Sequence, residues 1–209
     1  MKNFLAVDTS GNHLSVVACK DGKTHSVFLP DCAMKHAVSI MPAIEECLQK
    51  ADMRLAECDF FAAVVGAGSF TGIRIGISAV KGFCLAFDKP ALPVTSFDVI
   101  AYNEEKGKIL TLVDALHDSY YVCGYEDGKV VLPPAYLSEE ETLAFAEKGY
   151  TMSAFTELPI AEKAAVKTID PCLGLERAVK RLAEKNAFGE LTALYVRKSS
   201  AELNMEKTV

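Results

Sequence analysis

The strongest constraint on the fold is a strand-turn-strand pattern that occurs twice in the chain. Residues 3–29, NFLAVDTSGNHLSVVACKDGKTHSVFL, return as ILTLVDALHDSYYVCGYEDGKVVL at residues 109–132. A constant shift of 106 residues aligns Asp8 with Asp114 and the Asp21-Gly22 turn with Asp127-Gly128. One shared register over strands and turn indicates an internal duplication, which predicts two related lobes.

The polar segment NEEKGK at 103–108 contains a glycine and is the expected junction between the lobes. We therefore predict an N-terminal lobe over 1–105 that binds partners, and a C-terminal lobe over 106–209 that is a reduced duplicate of it. The protein is long enough for such a division, because 209 residues can bury one large core or two small ones.

The sequence of the first lobe predicts secondary-structure elements in the order β-β-β-α-β-α-β-α. Its three strands are joined partly by the Asp21-Gly22 turn, which is typical of a hairpin. Apolar residues at three- and four-residue spacing predict a helix over 34–52, the run FFAAVVG a buried strand, and the following residues a helix over about 72–87. A strand ALPVT and a helix from about Ser96 complete the lobe.

The second lobe repeats the opening strands and then predicts a helix after Ser138, where SEEE forms a capping box, and a longer helix near 174–187. Two such lobes in tandem describe an α/β fold of two ribonuclease-H-like lobes, as in the actin, sugar-kinase and chaperone-ATPase superfamily. This fold does not fix the function, because one fold supports many activities.

Composition excludes several classes of protein and site. The net charge of −6 gives no general attraction to nucleic acid, so we expect any contact with RNA to be supplied by a partner. Seven cysteines without a C-x-x-C pair and four scattered histidines predict neither a zinc site nor a disulfide framework. No signal peptide or apolar run of about 20 residues is evident, so we expect a cytoplasmic protein with no membrane contact.

The superfamily's phosphate and magnesium chemistry depends on an acidic residue and a tight turn after the first strand of each lobe. Asp8, Thr9, Ser10 and Gly11 fit that pattern and are the candidate nucleotide contacts, whereas Asp114 is followed by Ala115 and Leu116 instead of a glycine. The alternative for both aspartates is that each ends a strand and caps the next turn. An independent ATPase or small-molecule kinase is disfavoured but stays open as the second hypothesis.

The glycine-rich stretch GAGSFTGIRIG at 66–76 could cradle a phosphate, build an active site, or allow close packing. It lacks the lysine of a P-loop and the third glycine of a dinucleotide fingerprint. Three helix glycines, Gly72, Gly76 and Gly82, each cost about 1 kcal/mol relative to alanine. Gly72, Gly76 and Ala79 share one face, so they predict close contact with another helix, either 34–52 or one from a partner subunit.

The stretch at 66–76 closely resembles the G-P-G-S-F-T-G-L-R-I-G signature of the TsaB (YeaZ) family, with Ala67 for the proline and Ile73 for the leucine. LAVDTSG, HAVSIMPAIEECL, LVDALHDSYYVCGY and ALYVRKSSAE also follow that family's order, so the resemblance covers nearly the whole chain, least well over about 130–190. The related TsaD proteins transfer threonylcarbamoyl to the adenosine beside the anticodon of tRNA. Their N-H-x-E-G-H metal motif is replaced here by residues 95–100, with Ser96 and Ile100 in place of the histidines.

The resemblance therefore implies a scaffold subunit with no catalytic residue, no metal and no intrinsic cofactor. It implies that the helices at 34–52 and 72–87 bind a TsaD homologue or a second copy of the chain, with a TsaE homologue as the ATP-hydrolysing partner. It also implies that tRNA is met only through the complex, where ATP or ADP could contact residues 8–11. A glycopeptidase activity is disfavoured. The expected interface residues are His36, Ile40, Met41, Ile44, Gly68, Ser69, Phe70, Thr71, Gly72, Arg74, Gly76 and Ala79.

Overall fold

A computed structural model describes residues 2–104 and 106–197, so residue 105 in the expected junction and the tail motif from residue 198 lie outside the described part. The chain forms two five-stranded sheets. The first has the strand order β3-β2-β1-β4-β5. Its elements are β1 (Phe4–Asp8), β2 (Leu14–Lys20), β3 (Lys23–Leu29), α1 (His36–Lys50), β4 (Phe60–Val64), α2 (Phe70–Phe87), β5 (Ala91–Val94) and α3 (Ser96–Ala101).

The second sheet has the order β10-β9-β6-β7-β8, which is the order of the first sheet read from the other edge. Its elements are β6 (Lys108–Asp114), β7 (Ser119–Glu126), β8 (Lys129–Ser138), α4 (Glu139–Glu147), β9 (Thr151–Ala154), β10 (Val166–Thr168) and α5 (Pro171–Glu184). A short 3₁₀ turn, Pro159–Glu162, stands between β9 and β10, where the first lobe has α2. The predicted class, an α/β fold of two ribonuclease-H-like lobes, is confirmed.

The hairpin turns of the two sheets have the same backbone conformation. Both turn residues have positive φ, 50° and 83° at Asp21-Gly22 and 47° and 70° at Asp127-Gly128, as a type I′ turn requires. The pairing of the first two strands of each lobe differs by one residue. Ala6 pairs with Val17, whereas the equivalent Leu112 pairs with Val122 and not with Cys123, the equivalent of Val17. The duplication therefore kept the turn and shortened the first loop of the second lobe.

Three helix starts follow from capping side chains. α2 begins at Phe70, two residues before the prediction, because Ser69 accepts a hydrogen bond from the Gly72 amide at 3.2 Å. Ser138 caps α4 and exchanges hydrogen bonds with Glu141, so the predicted capping box is confirmed. α5 begins at Pro171, three residues before the prediction, after an Asp170 cap.

The two lobes are interlocked through their helices. α1 and α2 cover one face of the first sheet with buried residues such as Ile44, Ile73 and Val80. The opposite face is covered by α5, which follows the second sheet in sequence and contributes Leu175, Ala178 and Val179. In exchange, α3 packs against β6 of the second sheet. The boundary between the lobes in sequence therefore differs from their boundary in packing, because α5 follows the second sheet in sequence but packs on the first sheet.

Residues 188–197, here called the return segment, run from α5 back onto the first lobe. The Gly189 amide donates to the Ala91 carbonyl at 3.0 Å, and the Leu194 amide donates to the Val65 carbonyl at 2.7 Å. Leu191 is buried in the core beneath α1 and α2. The first lobe is therefore completed by residues from the end of the described chain.

Among the described residues, α2 is the one helix long and apolar enough to cross a membrane by length and composition. Its 18 residues have a mean hydropathy of 1.4, and 33% of them are buried. It packs on the first sheet through Ile73, Ile77 and Val80, as core helices do. Of its large apolar side chains, Phe70 and Leu85 are exposed.

Candidate functional site

The two aspartates matched by the duplication form the same local turn. Oδ1 of Asp8 accepts a hydrogen bond from the Ser10 amide at 2.8 Å, and Oδ1 of Asp114 accepts one from the Leu116 amide at 2.8 Å. A carboxylate that bonds its own backbone two residues later is an Asx turn. Both aspartates therefore cap the turn after their strand, as one of the two sequence readings predicted.

Asp8 has a second partner that Asp114 lacks among the described residues. Its Oδ2 lies 3.2 Å from Nε2 of His13, and both side chains are buried. Burial raises the pKa of the Asp8 carboxyl, but the hydrogen bond and charge interaction with His13 and the hydrogen bonds from Ser10 outweigh it, so the pKa is lowered. Asp8 is thus a charged group whose two oxygens are both satisfied inside the protein.

His13 is held in place by aromatic rings from both lobes. Its ring centroid lies 5.8 Å from that of Phe28 and 4.8 Å from that of Phe155. Its carbonyl oxygen is also 2.9 Å from Nε2 of the buried His36. The sequence gives no signal for the role of His13, because a separation of five residues from Asp8 is not a known ligand or catalytic spacing. Only the loop conformation brings the two side chains together.

A cleft of about 620 Å³ lies between the lobes, where the superfamily would place a nucleotide. Ser10 and Gly11 line it, but Asp8 and Thr9 do not, and both are buried. The side chains of Asp8 and Thr9 are enclosed in this conformation, and their contact with a nucleotide stays a prediction. Contacts from Ser10 and Gly11 stay a prediction.

The charges of the cleft also disagree with a magnesium-nucleotide site. Its described lining includes the carboxylates Asp114 and Glu157 but no lysine or arginine. Of the two aspartates expected to order the metal, one is sealed and the other uses Oδ1 in its own turn. A Mg²⁺ site needs several accessible oxygen ligands around one ion, so the residues present do not fit this cofactor.

The glycine-rich stretch packs against the Asp8 turn instead of a helix. A Cβ on Gly68 would lie 2.2 Å from the Ser10 carbonyl oxygen, and one on Gly72 would lie 2.1 Å from the Thr9 carbonyl oxygen. Thr9 Oγ1 donates to the Gly72 carbonyl at 2.7 Å. A Cβ on Gly76 would lie 2.5 Å from Thr9 Oγ1. These glycines allow α2 to lie directly on the first loop of the lobe.

The predicted stripe of Gly72, Gly76 and Ala79 is therefore corrected. Gly72 and Gly76 face inward and are buried, so neither a partner helix nor α1 lies against them. The sequence spacing showed that the glycines share a face but could not show which way the face points. The third helix glycine differs, because a Cβ on Gly82 would meet nothing within 4 Å.

The outward face of α2 carries a different set of small and apolar residues. Ser78, Gly82 and Ala86 follow each other at four-residue spacing and are exposed. Leu85 beside them is 86% exposed. Gly82 and Leu85 were not among the predicted interface residues, although the cost of a glycine in mid-helix was the signal that could have selected Gly82.

The remaining predicted interface residues divide by exposure. His36, Ile40 and Ile44 are buried in the first lobe, and their contact with a partner stays a prediction. Gly68 is half-buried against Ser10, and Ala79 is half-buried. The exposed residues, whose contact with a partner stays a prediction, are Met41, Ser69, Phe70, Thr71 and Arg74.

A groove of about 1060 Å³ continues this surface at the far end of α2. Met41 and Leu48 of α1 form one wall and Phe87 of α2 another, with Leu55 and Arg54 at the edge. The surface shared by α1 and α2 therefore combines a smooth helix face with an apolar groove.

Ser96 and Ile100, which replace the histidines of the metal motif, are both buried. Ser96 Oγ donates to the Ala67 carbonyl at 2.6 Å and lies 3.0 Å from Ser10 Oγ. Within residues 2–104 and 106–197 no group of three His, Cys, Asp or Glu side chains is placed to hold a metal ion. In this region a serine ties the glycine-rich stretch to the Asp8 turn.

Comparison with known proteins identifies several relatives. Residues 12–202 match the model of the family described as TsaD: tRNA N6-adenosine threonylcarbamoyltransferase. The chain is 31% identical over 116 residues to the tRNA threonylcarbamoyladenosine biosynthesis protein TsaB of Buchnera aphidicola subsp. Schizaphis graminum, covering 54% of this chain and 55% of that protein. It is 28% identical over 125 residues to TsaB of Bacillus subtilis, covering 59% and 55%. These matches span about half the length of each curated relative.

Among solved structures, YeaZ from Pseudomonas aeruginosa is similar with a TM-score of 0.80 at 23% identity, over 93% of this chain and all of that chain. A second Pseudomonas aeruginosa structure, described as similar to peptidase YEAZ, gives a TM-score of 0.79 at 22% identity, over 94% of this chain and 100% of that chain. At these identities the likeness shows a shared two-lobed fold.

Proposed function

Because the chain belongs to the TsaD family, among its relatives named TsaB (YeaZ), we propose that it serves the addition of threonylcarbamoyl to tRNA as a non-catalytic subunit. In this proposal it binds a TsaD homologue through the outward face of α2 and the adjoining surface of α1. The partner carries the catalytic site, and this chain stabilises the assembly.

The observation that carries the proposal is the exposed outward face of α2. Ser78, Gly82 and Ala86 are exposed along this face, and Leu85 beside them is 86% exposed. Gly82 carries a helix cost of about 1 kcal/mol that no contact among the described residues offsets. A partner helix lying over Ser78, Gly82 and Ala86 would offset that cost, because small residues allow close approach of two helices.

The sealed Asp8 turn supports the non-catalytic part of the proposal. Hydrolysis or transfer needs a group that reaches its substrate, whereas both Asp8 oxygens and the Ser96 hydroxyl are used within the protein. The competing hypothesis, an independent ATPase or small-molecule kinase, requires Mg-ATP binding by the isolated chain. Calorimetry with ATP and Mg²⁺ separates the two hypotheses, and we expect no turnover from this chain alone.

We further infer that the same surface pairs two copies of the chain when no TsaD homologue is present, and that a TsaE homologue joins the assembled cytoplasmic complex with ATP or ADP. Size-exclusion chromatography with light scattering tests the first inference. The dimer should convert to a mixed complex when the TsaD homologue is added, because the two partners compete for α2.

Co-purification with the TsaD homologue from the same genome tests the proposed surface. Gly82→Leu and Leu85→Asp should each abolish the complex, because a bulky or charged side chain would stand between the helices. Gly82→Ala and Val130→Asp are the matched controls, the latter on an exposed apolar residue of β8, and both should keep the complex. A complex that survives both first variants would exclude this surface, and a tRNA modification assay indifferent to the chain would exclude the function.

A further inference from the structure

An exposed cluster at the start of α2 lies one turn before Ser78, Gly82 and Ala86, the residues of the proposed helix contact. The guanidinium carbon of Arg74 lies 3.6 Å from the centre of the Phe70 ring. Arg74 Nε donates to the Tyr195 hydroxyl at 2.9 Å, and the Tyr195 ring stacks on Phe70 at 5.3 Å. Phe70 and Tyr195 are nonetheless 47% and 45% exposed. Three side chains from α2 and the return segment thus form one ordered, accessible unit.

A second arginine repeats this arrangement on the other lobe. Arg197 Nη1 lies 3.2 Å from the Tyr136 hydroxyl, and its guanidinium carbon lies 4.8 Å from the Tyr136 ring centre. Tyr136 in turn lies 5.9 Å from Tyr121, centre to centre. Cation-π contact and a hydrogen bond to the same ring hold the guanidinium in place while leaving it exposed.

The two units are neighbours on the surface. Tyr195 and Arg197 are two residues apart, so their Cα atoms are separated by about 7 Å at most. Phe70 and Tyr121 both line the cleft between the lobes. We call Phe70, Arg74, Tyr136, Tyr195 and Arg197 the arginine-aromatic rim. It meets the cleft at Phe70, and Tyr136 contacts Tyr121 of the cleft lining.

The rim carries positive charge that no described acidic group neutralises. Among the ion pairs formed within residues 2–104 and 106–197, none involves Arg74 or Arg197. This contrasts with the net charge of −6 for the whole chain. Two ordered guanidinium groups and three exposed rings are therefore concentrated on an otherwise acidic protein.

We propose that the rim binds single-stranded RNA, with the guanidinium groups contacting phosphates and the rings stacking on unpaired bases. The identification of this RNA as a segment of tRNA rests on the proposed function. Unpaired bases stack on tyrosine, phenylalanine and arginine planes, and arginine contacts phosphate with two donors at once. The overall charge predicted only indirect contact with tRNA, and the rim is a local exception to that charge.

The charge pattern favours RNA over a protein partner. Arginine and tyrosine are also common in protein interfaces, but burying two guanidinium groups there requires carboxylates on the partner. RNA supplies one negative charge at every nucleotide, so an edge of spaced arginines fits it without a special sequence. Duplex RNA fits less well, because its bases are stacked inside and cannot reach the rings.

Fluorescence anisotropy with a labelled RNA of ~10 nucleotides at about 50 mM salt tests the proposal, with the same RNA annealed to its complement for comparison. We expect tighter binding of the single strand. The double variant Arg74→Gln, Arg197→Gln should bind about tenfold more weakly or worse. Tyr195→Leu, which keeps the charge, should lose about fivefold or more through lost stacking. Melting curves should show that each variant is folded.

Arg54→Gln is the matched control, because Arg54 is exposed and lies beside Phe87 at the opposite end of α2. It should bind RNA as the wild type does. Equal affinity of the wild type and the double arginine variant, no binding of single-stranded RNA, or a preference for duplex would each overturn the proposal. If the double arginine variant lost the TsaD homologue and kept RNA affinity, the rim would be a protein contact.

The two proposals can fail separately. If Gly82→Leu abolishes co-purification and the double arginine variant leaves the KM for tRNA of the assembled complex unchanged, the proposed function stands and the rim does not bind tRNA. If no TsaD homologue co-purifies and the chain still binds single-stranded RNA through the rim, the proposed function falls and RNA binding remains.

Discussion

The first loop of each lobe starts from the same Asx turn, and the two copies now have opposite environments. Asp8 is buried, bonded to His13 and covered by α2. Asp114 is exposed and bonds only the Leu116 amide among the described residues. The two lobes differ mainly in the element that follows the second parallel strand. The first lobe has α2 there, whereas the second lobe has a 3₁₀ turn, Pro159–Glu162.

The turn that α2 covers and the turn that no described helix covers are constrained in different ways. Under α2, close packing requires glycine at Gly68 and Gly72. Both carboxylate oxygens of Asp8 are bonded within the loop, by the Ser10 amide and by His13. Without a covering helix, the second loop has three successive residues at positive φ, Leu116, His117 and Asp118, at 63°, 52° and 52°. The first loop is specified by packing, and the second is held mainly by its own backbone.

The largest expected effect comes from breaking the packing on the first loop. Gly72→Ala places a Cβ 2.1 Å from a backbone oxygen, which cannot move aside as a side chain can, so it should cost about 3 kcal/mol of unfolding free energy. Gly82→Ala in the same helix should instead gain up to about 1 kcal/mol. Urea unfolding of both variants measures this difference, and equal effects would contradict the inward orientation of Gly72.

A second pair of variants compares how much each aspartate contributes to the free energy of unfolding. Asp8→Asn should cost about 2 kcal/mol at neutral pH, because it removes a charge that is hydrogen-bonded inside the protein. Asp114→Asn should cost less than about 0.5 kcal/mol, as exposed substitutions do.

The pH dependence follows from the lowered pKa of Asp8 in the folded protein. A carboxyl with a depressed folded pKa stabilises the fold above its unfolded pKa of about 3.9, and this stabilisation is lost as pH falls through the folded value. The gap between wild type and Asp8→Asn should therefore be constant above about pH 5 and shrink below about pH 4. Urea unfolding at several pH values measures it, and a gap that widens in acid would refute the assignment.

The smallest effect comes from relaxing the uncovered loop. Leu116→Gly should stabilise the protein by about 0.5–1 kcal/mol, because a left-handed conformation is costly for leucine and free for glycine. Leu116 is exposed, so little packing is lost. The matched change in the first loop, Ser10→Gly, should instead destabilise, since Ser10 is buried and its Oγ lies 3.0 Å from that of Ser96. Thermal melting compares the two, and a loss of stability in Leu116→Gly would contradict the comparison.

Most of the fold could be predicted from the sequence because its signals are local. The Asp-Gly turns fix two hairpins, Ser138 and Glu141 fix the start of α4, and the duplication fixes the order of the second sheet. The family resemblance is confirmed by the match over residues 12–202. The hairpins and the helix start depend on residues close together in sequence, and the order of the second sheet depends on the constant shift of 106 residues.

The parts that could not be predicted depend on long-range packing. A spacing of four residues places Gly72 and Gly76 on one face of α2, but only the position of Thr9 shows that this face is internal. The Asp8–His13 contact forms within the first loop, and the His13 ring also packs on a ring from the other lobe, Phe155. The placement of α5 on the first sheet follows from neither its own pattern nor the duplication.

The return segment has a consequence for the order in which the molecule can assemble as it is synthesised. The first sheet needs α5 on one face, and Leu191 and Leu194 must reach the core and the Val65 carbonyl. A ribosome that has made only the first lobe therefore holds strands with one apolar face uncovered. Native closure must wait for nearly the last described residues, so the order of synthesis favours a single late folding step over lobe-by-lobe folding.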